Sequence, residues 1–283
     1  MRFCSLSSSS YANCVIIQDN STCVLVDCGL RKRDIKPYLN EVGVSPGDID
    51  AILLTHCHSD HIYGLNYLLE EKNVRVYSTA GVIQQLVRSY CLKKSPRFDI
   101  LRMSHEERIG TISLVPFGLS HDVETIGFIF SDGSEKLGFL TDTGFVSENC
   151  IKAFKSLDYI YIESNHDTEM YKYSSKPAHV IRRNLGPTGH LSNEQCGLAL
   201  QSMGLDKCRL VVLGHLSEDD NEPRRALNSA RRFLPAGSLL KSAPSRVPDM
   251  WSDIYIITGT GGQGQGDRFI VPKSYKLHFS ISL

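Results

Sequence analysis

The sequence predicts an α/β fold in which β-sheets carry helices on their outer faces. Three observations lead there. Short apolar runs of strand length alternate with helical periods in both halves of the chain, and five of those runs end in clusters of polar, mostly His- and Asp-bearing residues. At 283 residues, with 41% hydrophobic and 22% charged residues, the chain also has the length and composition of one large domain with a sizeable core.

Met1–Leu6 lacks the long apolar core of a secretory signal and reads as a first strand. Cys14–Gln18 and Thr22–Asp27 flank an Asp19-Asn20-Ser21 turn as a hairpin. A helix over 32–42 follows, and Ser45-Pro46-Gly47-Asp48 returns the chain to a strand over 51–55. Ile62, Leu65 and Leu68-Leu69 give His61–Glu71 a helical period, succeeded by a strand over 74–78 and a helix over 81–92. Strands are predicted at 112–117, 126–131 and 136–141, with Asp132-Gly133 as the last turn. Later strands are expected at 159–163, 210–213 and 254–258, and helices at 148–155, 192–203 and 223–233. Residues 1–258 are expected to form one domain, and 259–283 a Gly-rich linker with a tail whose role stays open.

No run of eighteen apolar residues marks a membrane span, so a cytoplasmic protein without a membrane partner is expected. Nine cysteines without a CxxC pair suit a reduced compartment. Net charge is zero, which argues against indiscriminate nucleic-acid binding. Its distribution is uneven: 172–283 carry 15 Lys/Arg against 9 Asp/Glu, leaving 16 against 22 for 1–171.

The densest chemistry lies in His56-Cys57-His58-Ser59-Asp60-His61, directly after the run Ala51–Leu54. In an extended segment His56 and His58 share a side while Cys57 faces away. Asp60 and His61 follow where the chain turns into a helix, so one loop offers ligands to two metal ions. Four other signatures end apolar runs: Ser120-His121-Asp122, Thr141-Asp142-Thr143, Ser164-Asn165-His166-Asp167 and Gly214-His215-Leu216-Ser217. Strand ends bring such residues to one rim of a sheet. His190 stands in a glycine-flanked turn at a helix start, where it is a candidate proton donor or else a capping histidine, and Ser192 and Asn193 are candidate phosphate-binding groups. His166 is read as contacting substrate or as a supporting ring oriented by Glu163 or Asp167.

Through Thr55–His61, His121, Asp142 and His215 the chain resembles the metallo-β-lactamase superfamily. That resemblance implies an αββα sandwich with two metals between its sheets, His56, His58 and His121 on one, Asp60, His61 and His215 on the other, and Asp142 bridging. Asp60 is accordingly placed, with His190, among the catalytic residues. Arg2–Cys14, Glu163–Asp167, Gly189–Asn193 and His215–Ser217 are similar to the YycJ/WalJ branch, over residues 1 to about 258. The branch implies metal-dependent DNA exonuclease activity and kinship with ribonuclease Z and cyclic phosphodiesterases. At Ser8–Ala12 the family's pattern is richer in glycine; the bulkier residues here narrow the approach to the metals.

An all His/Asp donor set suits zinc and also admits manganese or iron. Two such cations make hydroxide available from water near neutral pH, and a departing alkoxide then needs a proton, for which His190 is the candidate. The favoured reading is a phosphodiesterase or exonuclease acting on DNA, RNA or a small phosphodiester. A hydrolase of small esters, lactones, thioesters or β-lactams is the alternative, and a metal-keeping module without turnover the third. The oligomeric state stays open, a homodimer included.

Overall fold

The computed structural model describes residues 1–259. The first sheet comprises β1 (Arg2–Ser8), β2 (Asn13–Gln18), β3 (Cys23–Val26), β4 (Ala51–Leu53), β5 (Arg75–Ser78) and β6 (Phe98–Ile100), in that spatial order. The second runs β7 (Glu107–Ile109), β8 (Ile112–Leu119), β9 (Thr125–Ser131), β10 (Lys136–Leu140), β11 (Tyr159–Glu163), β12 (Leu210–Gly214) and β13 (Leu240–Ser242), again in chain order. Each sheet opens as an antiparallel meander and finishes with parallel strands. The parallel halves need crossovers, and helices supply them. In the first half these are α1 (Lys32–Glu41), α2 (Ser59–Ile62), α3 (Leu65–Glu71) and α4 (Ala80–Ser89). In the second they are α5 (Glu148–Ala153), α6 (Thr168–Tyr171), α7 (Ala178–Asn184), α8 (Asn193–Met203) and α9 (Pro223–Arg231), with α10 (Ser252–Gly259) after the last strand.

Alternation of side chains along each strand produces three apolar layers. In β11, Tyr159 and Tyr161 face the other sheet while Ile160 and Ile162 face α5 and α8; in β4, Ala51 and Leu53 face between the sheets and Ile52 faces α1 and α3. Helices, sheet, sheet, helices are therefore the four layers. The inter-sheet layer holds a stacked Phe139–Tyr161 pair with ring centroids 4.9 Å apart.

Two expectations fail. The helix over His61–Glu71 is broken into α2 and α3 at Gly64, whose N donates to Cys28 O at 2.8 Å, outside the helix. The strand over 254–258 is instead part of α10. The edge of β1 is not open to its β-branched run: residues 244–249 already lie along β1, with Ser8 N donating to Pro244 O at 3.0 Å and Asp249 N to Ser5 O at 2.7 Å. The short elements β6, β7, β13, α6 and α7 add to the expected ones. The expected linker and tail beyond Gly259 lie outside the described residues. Among the described residues no helix is long and apolar enough to cross a membrane.

Candidate metal centre

The polar residues that end β3, β4, β10, β11 and β12, together with the β8–β9 turn, converge on one rim of the sandwich. His56, His58 and His121 bring ring nitrogens within 4.8 Å of one another, and the donor atoms of Asp60, His61 and His215 do likewise. Asp142 lies between the two sets. Its Oδ2 is 3.3 Å from His61 Nε2 and its Oδ1 is 3.3 Å from His215 Nε2 and 4.0 Å from His121 Nε2. Cys57 points away and donates its thiol hydrogen to Val82 O.

The rings are aimed by hydrogen bonds at their far nitrogens. His61 Nδ1 donates to Asp27 at 2.7 Å, His121 Nδ1 to Gly189 O at 3.1 Å and His215 Nδ1 to Glu163 Oε1 at 2.9 Å. Each bond sets the tautomer and leaves an Nε2 lone pair turned to the cluster. His58 Nε2 lies 3.3 Å from Asp122 Oδ1, which leaves Nδ1 toward His121. Asp27 is itself fixed by Thr55, whose backbone N and Oγ1 both donate to it at 2.8 Å. Glu163, fully buried, also accepts from His190 Nδ1 at 2.7 Å and from Thr143 N at 3.0 Å. One carboxylate thus orients two imidazoles.

Buried donors left without a partner test whether a cation fits. His56 Nε2, His215 Nε2 and Asp142 Oδ2 are buried and make no hydrogen bond. Leaving such atoms unsatisfied costs about 1–3 kcal/mol each, so a cation between them resolves the deficit. The electrostatics agree. Burial opposes charge on His215, yet Asp142, Asp60 and Glu163 hold its pKa up to about 10. Asp142 is held below the usual carboxylate range, burial being outweighed by His215 and His61. Burial and the neighbouring imidazoles drive His56 well below its ordinary value, as expected of a ring that offers a lone pair. The donor set fits divalent cations.

His190 joins the cluster, its ring stacked on His215 at 5.2 Å and edge-on to His121 at 5.1 Å. The other expected site residues do not join it. Ser192 caps α8, its Oγ accepting from Gln195 N while Gln195 Oε1 accepts from Ser192 N. Asn193 is bound reciprocally to Asn221 at 2.9 Å and accepts from Ser164 Oγ at 2.7 Å. Both are buried, and these side-chain bonds are made within the protein. His166 stands apart from the donor sets, edge-on to Tyr171 at 4.6 Å, with both ring nitrogens unpartnered. Neither expected orienter binds it: Glu163 serves His190 and His215, and Asp167 caps α6 through Glu169 N and Met170 N.

Sequence reasoning assigned no role to Asp27 or Asn13, and named Asp122 only as part of the Ser120-His121-Asp122 signature. Asp27 ends the apolar run Cys23–Val26, the same signal that marked the other strand ends. Asn13, whose Nδ2 reaches Asp60 Oδ2 at 3.2 Å and His61 Nε2 at 3.1 Å, carries no such signal.

A four-layer sandwich with this donor set across the ends of its strands is the architecture of a metal-dependent hydrolase. Comparison with known proteins agrees: the sequence pattern of the metallo-β-lactamase superfamily matches residues 10–215, and the chain belongs to that superfamily. It is 31% identical over 238 residues to a protein named exodeoxyribonuclease YycJ from Bacillus anthracis, covering 83% of this chain and 89% of that one. It is 34% identical over 219 residues to exodeoxyribonuclease WalJ of Streptococcus pneumoniae, covering 76% and 81%. The crystal structure of the metallo-β-lactamase fold protein YhfI from Bacillus subtilis shares the fold, with a TM-score of 0.71 at 16% identity over 88% of this chain and 98% of that one.

Proposed function

We propose that this protein is a dinuclear metal-dependent exonuclease that hydrolyses phosphodiester bonds of DNA. What carries the reading is its likeness, across most of both chains, to two proteins named exodeoxyribonucleases. His56, His58 and His121 would hold one divalent cation and Asp60, His61 and His215 a second, with Asp142 available to both; zinc would suit the donors, and manganese or iron would be admitted. When bound, the cations supply an activated water and neutralise charge on the phosphate oxygens.

The chain's own residues do the rest. Asp27 and Glu163 keep His61 and His215 in their ligand tautomers. Glu163 also anchors His190 through Nδ1, and from Nε2 His190 protonates the departing 3′ or 5′ oxygen. An alkoxide needs that proton, whereas a nitrophenolate does not.

The test compares wild type and His190→Ala, both metal-loaded, on a DNA strand and on a nucleoside p-nitrophenyl phosphate. Loss of the proton donor lowers kcat on DNA by about 10²–10⁴-fold and leaves the nitrophenyl ester much less affected. Equal losses on both substrates, or none, remove His190 from this role. A wild type that cleaves neither removes the phosphodiesterase reading itself.

A further inference from the structure

The turn between β1 and β2 sits against the cluster's own residues. Ser9 forms a bridge with Leu216, next to His215; Ser10 Oγ lies 3.3 Å from Asn165 Nδ2, which in turn binds His215; and Asn13 reaches Asp60 and His61. At the tip stands Tyr11. It is 54% exposed, yet it is not loose: its hydroxyl donates to Asp219 Oδ2 at 3.2 Å, its backbone N donates to Ser9 Oγ, and the Arg246 guanidinium lies 5.5 Å from its ring centroid. Arg246 is held in place by Glu218, at 2.9 and 3.0 Å from Nε.

A large aromatic ring fixed on a turn whose neighbouring residues touch the cluster, and left half open to solvent, is a surface for another flat ring. The charges around it say which part of a nucleotide it takes. Glu218 offsets Arg246, and Lys176 pairs with Asp220 and lies 4.0 Å from Asp219, so among the described residues both cations near the ring are paired with carboxylates rather than free to attract a phosphate. We propose that Tyr11 is the stacking platform for a nucleobase of the substrate next to the metal centre. The proposal rests on the phosphodiesterase reading and adds to it a base-binding, sequence-tolerant subsite. Arg246 backs the ring on one side, and the base stacks on what remains open.

The experiment uses the metal-loaded full chain as wild type, Tyr11→Ala and Tyr11→Trp, with two strands of equal length: ordinary DNA and a strand of abasic tetrahydrofuran units, which keeps every phosphate and has no bases. Tyr11→Ala is expected to raise KM on DNA about ten- to a hundredfold, to leave KM on the abasic strand within about twofold of wild type, and to be rescued by Tyr11→Trp. The ratio of KM values between wild type and Tyr11→Ala should not change with salt, since stacking releases no counterions. An unchanged KM on DNA, or an equal rise on both strands, overturns the platform while leaving the phosphodiesterase reading in place. A wild type that cleaves neither strand overturns both.

Discussion

Asp27, Asp142 and His215 end three different strands, and all three hold left-handed backbone, with φ of 59°, 62° and 55°. A non-glycine residue there costs of order 1–3 kcal/mol, and Asp and His are among those that tolerate it best. Each turns its side chain from the sheet into the cluster. The sequence displays which residues stand at the strand ends, so His56, His58, Asp60, His61, His121, Asp142 and His215 are legible from it. It does not display the backbone turn, and hence not that Asp27 and Glu163 serve as orienters. Replacing Glu163 by Gln tests that role, because an amide cannot accept from His190, His215 and Thr143 at once. Metal affinity and kcat/KM should each fall about 10- to 100-fold, checked by metal content after dialysis and by turnover. His166 gives a second prediction. Burial lowers its pKa to about 4 from an ordinary 6.5, so the folded chain binds that proton less readily than the unfolded one. The resulting stability is complete above pH 6.5 and is lost as pH falls through 4, at most about 3 kcal/mol. In chelated protein, the urea midpoint of His166→Phe should fall less steeply between pH 6.5 and 4 than that of wild type; parallel slopes would remove His166 as the source.

At the scale of elements, position depends on close backbone approach. A Cβ on Gly29 would lie 1.6 Å from the Asp60 carbonyl oxygen and 2.8 Å from Asn13 N, so only glycine lets the segment after β3 support the start of α2. Gly29→Ala should therefore displace Asp60 and His61. The expected result is loss of bound metal and activity with circular dichroism close to wild type; retained metal would show that α2 is positioned otherwise. The same kind of contact explains why element boundaries were only partly readable. Ile62, Leu65 and Leu68 announce a helix, but at Gly64 the backbone N is taken by Cys28 O, far from it in sequence. Elements of three or four residues such as β6, β7, β13 and α6 are too short to show a period. The run Ile254–Thr258 reads as a strand by composition and is helix in the fold, where residues 244–249 already occupy the edge of β1.

For the whole molecule, the alternating pattern implied sheets with outer helices and the family resemblance a two-sheet sandwich, whereas the chain-order arrangement of the thirteen strands among the described residues came from pairing that composition does not encode. The segment after β13 crosses from the second sheet to the first and covers the exposed edge of β1. Trp251 secures it: buried, with Nε1 donating to Val42 O at 3.1 Å, under the Arg2 guanidinium at 4.1 Å. Trp251→Ala should cost about 3–5 kcal/mol in urea unfolding. A loss under 1 kcal/mol would show that the segment is not a structural clasp. The central claim, that these strand ends form a metal centre for phosphodiesters, is tested most directly by offering one metal-loaded preparation 5′-labelled DNA and a lactone in parallel, with Asp142→Asn as control, since Asn tolerates the left-handed backbone. Stepwise shortening of the DNA, abolished in the control and without lactone turnover, is the predicted result; lactone turnover with the DNA left intact would contradict it.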